Sequence, residues 1–340
     1  MSNQPPLKIC LLSDNKKGHV IKSEGIIYAL SLVTKVEIYS FQIAWKIGFL
    51  RRALLISKTL RQLLPKKLCL NDFKDLNYDL IVSSGGATEW INARLSKDLK
   101  VKNIFIGSLR HCEKEDFSFL AIDKYKNYPG YIEIPVAPNA INKNAIKSLG
   151  EEYYPNKSYK IFSILIGGNG SGIKWTPNSF RSIFDKFLEI AHTNQIKVIF
   201  LTSRRTPKFI EEIIKSRWHD TPEILKSSKE SNFLELKNDR NHYLATLGAA
   251  DNLFISEDSA SMISEAISTG KKVFSFKPQG FHNKNHNEAL LRQYSNANRL
   301  IRLLSIEDFS LDKDYKWDHL TEKWQMDLGS NILNRILEIK

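Results

Sequence analysis

The chain has 340 residues, of which 42% are hydrophobic, and it carries a formal net charge of +13. The length predicts two domains of about 150 residues each, and no apolar run approaches the roughly 20 residues of a membrane span, which argues against an integral membrane protein. The start, MSNQPPLKICLLSD, lacks the features of a signal peptide, and Cys10, Cys69 and Cys112 fit neither a disulfide framework nor a cysteine metal site. We therefore expect a soluble, cytoplasmic protein.

Short β-rich runs alternate with longer helical patterns along the chain. The first set of predicted strands covers residues 7–13, 36–41, 78–84, 102–108 and 131–137. The second set covers residues 160–168, 197–203, 252–256 and 272–276. Because these runs are apolar on both faces, they indicate parallel sheets that are covered by helices on both sides. We predict an α/β fold with two doubly wound, Rossmann-like domains that face each other across a cleft.

The boundary between the two domains is predicted from composition. Residues 138–159 are rich in Pro, Asn and Lys and show little periodicity, which is typical of a linker. The predicted N-terminal domain is therefore 1–142 and the predicted C-terminal domain is 158–340. The last helix, at about 321–340, is expected to pack back on the N-terminal domain.

Positive charge is concentrated at 41–67, which holds seven Lys or Arg and no acidic residue, with aromatic and leucine side chains interleaved. One interpretation is a core helix whose polar face is basic. The other is a surface that binds anionic membrane, because aromatic side chains enter the headgroup region and cations attract anionic lipid. Nucleic-acid binding is not expected, since no RNA- or DNA-binding motif accompanies the charge.

In a doubly wound sheet the ligand lies beyond the carboxyl ends of the strands, so the loops there identify the site. Those loops read SDNKKGHVIKSEG, SGGATEW, GGNGSGIKW, SRRTP and EDSASMISEA after the first, third, sixth, seventh and eighth predicted strands. Glycines let a backbone approach a ligand and expose N–H groups that suit phosphate. A glycine-rich turn alone is weak support, because a tight strand-to-helix connection has the same pattern.

The last two loops add charged and hydroxyl groups. In SRRTP, arginines at a strand end suit bidentate phosphate binding, although exposed arginines are common. In EDSASMISEAISTG, Asp258 or Ser259 can cap a helix that ends before Gly270, which leaves N–H groups of its first turn for a phosphate. Glu257 and Glu265 are separated by seven residues and could hold the sugar and the ribose of one nucleotide sugar. The predicted donor-binding residues are Gly168, Asn169, Ser171, Ser203, Arg204, Arg205, Glu257, Asp258, Ser259, Ser261 and Glu265.

Four stretches in this order, SDNKKGH, LIGGNGSG, SRRTP and EDSASMISEAISTGKKVF, resemble the mitochondrial-fission-type (ELM-like) family of proposed glycosyltransferases, which has a GT-B-like fold; the resemblance supports this fold more strongly than the reaction. The Glu257 and Glu265 spacing also resembles a motif of GT-B glycosyltransferases in which the second Glu binds the donor ribose. One departure is DNKKGH, where the family more often has Lys-Pro-Gly-His; Gly18 and His19 are retained.

The resemblance implies a metal-independent glycosyltransferase that uses a nucleotide sugar as substrate and needs no cofactor. Its acceptor is expected to be a lipid-linked or cell-envelope glycan at the cytoplasmic face of the membrane. Asp14 or His19 would be the catalytic base, although His19 could instead only shape its turn. Gly18, Gly86 and Thr88 are the predicted acceptor-side residues. A nucleotide-sugar epimerase and a non-catalytic membrane scaffold with the same fold are the alternatives.

No metal site is expected. His282 and His286 have a helical ligand spacing, but HNKNH lacks the glutamate of a zinc protease. The Asp-Lys-Asp run at 312–314 lies in a charged segment away from any predicted strand end, which favours solvated carboxylates.

Overall fold

The computed structural model of the protein describes residues 5–43, 77–121, 126–155, 158–228, 239–278, 281, 285–297, 300–306, 309–311 and 313–338. From position 44 onward, the basic segment at 41–67 lies outside the described residues. His282, Asp312 and the side chain of His286 also lie outside them.

Strands and helices alternate through the described chain. The elements of the first part are β1 (Leu7–Ser13), α1 (Lys17–Ser31), β2 (Val36–Gln42), β3 (Leu80–Ser84), α2 (Glu89–Leu99), β4 (Lys102–Ile106), a 3₁₀ turn (Lys114–Asp116), β5 (Phe119–Leu120) and α3 (Lys143–Tyr153). Those of the second part are β6 (Ile161–Gly168), α4 (Pro177–Thr193), β7 (Lys197–Arg205), α5 (Lys208–Trp218), α6 (Arg240–Ala249), β8 (Asn252–Ser256), α7 (Ala260–Ser268), β9 (Lys272–Phe276), α8 (Asn285–Arg292), a π turn (Gln293–Ala297), β10 (Arg302–Leu304) and α9 (Trp324–Leu337).

The strands form two five-stranded parallel sheets with the orders β2-β1-β3-β4-β5 and β10-β9-β8-β6-β7. The predicted doubly wound α/β fold is confirmed. In the first sheet the strand order reverses between β1 and β3, and in the second it reverses between β6 and β8. Such switch points are where open α/β sheets bind ligands.

The chain divides into two compact units, one of Met1–Ala140 with Glu322–Lys340 and the other of Ile141–Thr321. Within the first unit, α9 crosses α1 at very short range. A Cβ on Gly329 would lie 2.0 Å from the carbonyl oxygen of Ala29, so only glycine fits this crossing. The Gln325 side chain adds a hydrogen bond of 3.0 Å to the carbonyl oxygen of Asn139.

Two predictions at the end of the first part of the chain are wrong. The segment 138–159, expected to be a linker, contains α3, because the Asn142 side chain caps it at Ala145 N–H and Ile146, Gly150 and Tyr153 are buried on one face. The strand expected at 131–137 is absent from the described sheet, where Tyr131 forms only an isolated bridge to Leu120. Prolines at 135 and 138 lack the N–H group that a central strand needs.

An aromatic core fixes the second sheet and therefore the loops that leave it. The rings of Phe254 and Phe274 stack with centroids 4.8 Å apart, and Phe187 of α4 contacts Phe254 edge-on at 5.0 Å. Ring pairs in these geometries contribute about 0.5–1.5 kcal/mol beyond their buried area. None of the described helices has the combined length and apolar character that crossing a bilayer requires.

Candidate functional site

Three loops meet at the carboxyl edge of the second sheet, next to the switch point between β6 and β8. The Gly167 N–H donates to Ser256 Oγ at 2.7 Å, which joins the ends of β6 and β8. The hydroxyl of Ser203 donates to the Gly167 carbonyl oxygen, and that of Thr206 donates to the Ile166 carbonyl oxygen at 2.9 Å. The predicted motifs GGNGSG, SRRTP and EDSAS therefore belong to one hydrogen-bonded network.

Asp258 lies at the centre of this network. One carboxylate oxygen accepts from Ser256 Oγ at 2.6 Å and the other accepts from Arg205 Nη2 at 2.9 Å. The carboxylate side chain is fully buried, whereas the Arg205 side chain is 46% exposed. Because a guanidinium has five N–H donors, this pairing fixes Arg205 and leaves donors available to a ligand.

The glycines after β6 make room for this ion pair. A Cβ on Gly167 would lie 2.4 Å from Asp258 Oδ2, and one on Gly170 would lie 2.5 Å from Arg205 Nη1. Gly168 has a φ of +120°, which side chains rarely adopt. The glycine-rich turn is thus required by the Asp258–Arg205 pair as well as by the turn itself.

The other uncharged candidates in these loops serve mainly to shape them. The Asn169 side chain accepts from Trp175 N–H at 2.9 Å, and Ser171 Oγ donates to the Asp258 carbonyl oxygen at 3.3 Å. Ser259 is the N-cap residue of α7, as predicted, but its side chain makes no capping hydrogen bond, and its N–H donates to the Ser256 carbonyl oxygen at 3.3 Å. Ser261 lies half-buried in the first turn of α7.

The two glutamates of EDSASMISEA are buried and do not line an open site. The Glu257 side chain is 4% exposed, with Oε2 lying 3.7 Å from Lys277 Nζ. The Glu265 side chain is 1% exposed and accepts from Arg240 and from Tyr243 OH, both on α6. Buried carboxylates need such partners, and as a result Glu265 binds a neighbouring helix where a ribose ligand was expected.

Arg204 differs from Arg205. It is exposed, and in the described part of the chain its side chain has no hydrogen bond or ion pair. It is therefore free to bind an anion but is not held in place.

Burial raises the pKa of the Asp258 carboxyl to about 6, against the lowering effects of the Ser256 hydrogen bond and the Arg205 charge. In the unfolded chain this carboxyl ionises near its ordinary value of 3.8. Between these two pKa values the carboxyl is protonated in the folded state but ionised in the unfolded state. The stability that Asp258 contributes through this proton is therefore fully present below about pH 4 and is lost as the pH rises to about 6.

We expect the free energy of unfolding of the wild type, minus that of Asp258→Asn, to fall by up to about 3 kcal/mol between pH 4 and pH 6.5 and then to level off. Urea titrations at several pH values measure it. A difference that rises with pH would mean that the carboxyl pKa lies below its ordinary value.

A second cluster lies at the carboxyl edge of the first sheet. Asn15 adopts a left-handed conformation with a φ of 58°, and α1 begins two residues later, which brings His19 back over Asp14. The His19 Nδ1 atom lies 3.1 and 2.9 Å from the two Asp14 carboxylate oxygens. With the neutral ring donating from Nδ1, Nε2 carries the lone pair, and in the described part of the chain it has no hydrogen-bond partner.

The loop after β3 supports this pair. Gly85 has a φ of +92°, and a Cβ there would lie 2.1 Å from His19 Nδ1, so the His19 ring rests on the glycine backbone. Gly86 is the next residue of the same turn. Gly18 lies half-buried in the first turn of α1. The prediction that Thr88 is an acceptor-side residue is wrong. Thr88 is fully buried, and its hydroxyl donates to the carbonyl oxygens of Ser84 and Gly85 at 3.2 and 2.9 Å, so it cannot reach an acceptor.

Sequence reasoning missed two residues next to this turn, Glu89 and Arg110. Glu89 follows SGGAT directly and is fully buried, and it binds the loop that carries Arg110. The signal was an acidic residue at the start of a helix that follows a glycine turn. It was not distinguishable from ordinary helix-dipole stabilisation.

Solved structures with this fold align over nearly the whole chain. The UDP-GlcNAc 2-epimerase of Methanocaldococcus jannaschii has a TM-score of 0.59 and 15% identity over 97% of this chain and 99% of that chain. MurG of Acinetobacter baumannii has a TM-score of 0.51 and 10% identity, with 98% and 93% coverage. The UDP-GlcNAc 2-epimerase of Neisseria meningitidis has a TM-score of 0.52 and 11% identity, with 98% and 100% coverage. At these identities the similarity establishes the fold alone, which is GT-B-like as predicted.

Similarity in sequence identifies the family. The protein RP120 of Rickettsia prowazekii (strain Madrid E) is 28% identical over 176 residues, which are 51% of this chain and 46% of that protein. The chain thus matches less than half of the length of this curated relative. The family described as mitochondrial fission ELM1 matches residues 17–321, a span that includes His19 and the loops after β3, β6, β7 and β8. Because this match covers most of the chain, the protein belongs to the mitochondrial fission ELM1 family.

Proposed function

We propose that the protein is a metal-independent glycosyltransferase that moves a sugar from a nucleotide-activated donor to a lipid-linked or cell-envelope glycan. The observation that carries this proposal is the Asp14–His19 pair, in which Asp14 accepts from Nδ1 and leaves Nε2 as a proton acceptor. Activation of an acceptor hydroxyl requires a base that can take its proton. His19 would supply this base at a switch point, which is where open α/β sheets bind their ligands.

The donor is assigned to the second unit. Its leaving group is a nucleotide phosphate, so the site must neutralise negative charge as the glycosidic bond breaks. Arg205, oriented by the buried Asp258, supplies fixed N–H donors, and Arg204 adds an exposed charge nearby. The first turn of α7 adds backbone N–H groups and the positive end of a helix dipole.

In the proposed reaction, the acceptor oxygen attacks the anomeric carbon while His19 Nε2 takes the hydroxyl proton. A new carbon–oxygen bond forms, and the bond between the anomeric carbon and the phosphate oxygen breaks, with its electron pair leaving on the nucleotide. The Asp14 carboxylate stabilises the imidazolium that results. This arrangement contributes about 10²- to 10⁴-fold in rate when the base is correctly placed.

The second candidate is a nucleotide-sugar epimerase, because UDP-GlcNAc 2-epimerases share the fold over nearly the whole chain. Incubating the protein with labelled nucleotide sugars separates the two candidates. A transferase is expected to leave the sugar unchanged until an envelope lipid extract is added. Interconversion of nucleotide sugars in the absence of any acceptor would replace the transferase proposal with the epimerase. Neither binding nor turnover would leave a non-catalytic scaffold.

The membrane-facing acceptor adds a prediction about the basic segment at 41–67. Each cation near an anionic surface contributes about 1 kcal/mol, so the seven in this segment could hold the protein on a membrane reversibly. We expect cosedimentation with vesicles that contain anionic lipid, weakened above about 0.3 M salt. The binding should be largely lost when Arg51, Arg52, Lys58 and Arg61 are changed to Glu. Absence of binding by the folded wild type at low salt would favour the alternative of a core helix with a basic face.

A further inference from the structure

The loop after β4 brings an arginine to the same turn that supports His19. A Cβ on Gly86 would lie 3.5 Å from Arg110 Cδ, 3.8 Å from Nε and 3.9 Å from Nη1, so the side chain lies along the Gly86 backbone. The preceding residue, Gly85, contacts the His19 ring. Arg110 and His19 therefore lie against two consecutive residues of one turn, at the switch point of the first sheet.

Glu89 fixes the backbone of this loop. A single carboxylate oxygen, Oε1, accepts from the N–H groups of Arg110, His111 and Cys112 at 3.0, 2.9 and 2.9 Å. Glu89 is fully buried at the start of α2, so the loop is attached to a rigid element. Because these N–H groups are already used, a ligand at this loop would have to bind a side chain, and that of Arg110 lies against Gly86.

The Arg110 guanidinium differs from the four arginine side chains of the described structure that form carboxylate pairs. Arg94, Arg205, Arg240 and Arg292 each pair with a carboxylate. Arg110 is exposed, and among the described residues its guanidinium has no ion pair or hydrogen bond. The nearby Asp14 carboxylate is engaged by His19, and Glu89 lies buried beneath the loop. A guanidinium without a carboxylate partner, on a loop whose backbone Glu89 holds and with its stem against Gly86, suits bidentate binding of a phosphate or carboxylate.

We infer that Arg110 binds an anionic group of the acceptor, next to the hydroxyl that His19 deprotonates. This inference rests on the proposed function and narrows it to acceptors that carry a phosphate or a carboxylate near the reacting hydroxyl. A lipid phosphate and an acidic sugar are the two sources of such a group. Arg110 would select the acceptor by holding its hydroxyl next to His19, the proposed base.

The test uses full-length protein that carries Arg205→Ala as a background substitution. This substitution removes the arginine proposed to bind phosphate at the donor site. Pyrophosphate and glucuronate serve as phosphate and carboxylate probes, and binding is followed by calorimetry and by the NMR resonances of the His19 ring. We expect at least one probe to shift the His19 resonances. Changing Arg110 to Ala should weaken that binding by about tenfold or more, and Arg110→Lys should weaken it less because the charge remains. The probe whose affinity falls more on Arg110→Ala identifies the anionic group that Arg110 prefers.

Arg94→Ala is the matched control, because it removes a paired arginine from the same unit, and it should leave both readouts unchanged. Equal affinity in the background protein and in its Arg110→Ala variant, with both folded by circular dichroism, would overturn the inference. So would binding that leaves the His19 resonances unmoved. Nucleotide binding by the wild type is measured separately, so failure of the proposed donor site is distinguishable from failure of Arg110.

Discussion

Replacing His19 with Ala is expected to lower the rate of sugar transfer by about 10²- to 10⁴-fold, because the acceptor hydroxyl loses its proton acceptor. Donor affinity should stay nearly unchanged, since His19 lies in α1, which follows β1 of the first sheet, whereas the proposed donor-binding residues follow strands of the second sheet. The rate is measured as labelled sugar passing from the bound nucleotide sugar to an envelope lipid extract. A fall in kcat without loss of donor binding assigns His19 to the chemical step.

Asp14→Asn provides a finer version of this experiment. The substitution keeps the shape of the side chain, but it removes the charge that fixes the ring tautomer and stabilises the imidazolium, so transfer should fall by a similar order. Lys17→Ala is the matched control on the same turn, because its side chain is exposed, and it should leave transfer nearly unchanged. Full transfer by His19→Ala would leave His19 as a residue that only shapes its turn.

Replacing Arg205 with Ala is expected to weaken nucleotide binding by about 1.5 to 3 kcal/mol, the range for hydrogen bonds to charged groups. Arg204→Ala should cost less, because a side chain without a fixing partner loses more conformational freedom when it binds. Calorimetric titration measures both. Arg217→Ala, which removes an exposed arginine of the same unit, is the control for charge alone.

Unchanged nucleotide affinity in both arginine variants would remove SRRTP from the donor site. The order of the two effects carries separate information. A larger loss for Arg204 than for Arg205 would mean that the Asp258 pair serves stability and not ligand binding.

The sheet topology could be predicted because buried parallel strands leave a strong apolar pattern. The run NLFIS became β8 at Asn252–Ser256 without any change of bounds, and KVFSF became β9 at Lys272–Phe276. Since both strands lie in the middle of a sheet, the loops that follow them are also fixed. That is why the motifs after β6, β7 and β8 could be expected at one edge.

Pairing between side chains was much harder to predict than the position of the loops. The spacing of Glu257 and Glu265 gave no sign that Arg240, on another helix, would bind Glu265. Thr88 occupies a loop position typical of a ligand-binding hydroxyl, yet its hydroxyl satisfies backbone carbonyls of its own turn. Such choices depend on distances between elements, which a linear pattern does not contain.

The helix α3 was missed for a different reason. Its sequence, KNAIKSLGEEY, has few apolar residues, and one buried position is Gly150. A Cβ on Gly150 would lie 2.6 Å from the backbone of Ala249 in α6, so close backbone packing stabilises the helix in addition to the buried Ile146 and Tyr153 side chains. Hydrophobic periodicity cannot detect a contact of that kind.

The most direct test is a calorimetric titration of the wild type and of Arg205→Ala with UDP, GDP, CMP and their sugar conjugates. We predict that at least one nucleotide sugar binds the wild type and that the same ligand binds Arg205→Ala at least about tenfold more weakly. Failure of every nucleotide and nucleotide sugar to bind the folded wild type at millimolar concentration would contradict a nucleotide-sugar site in this protein.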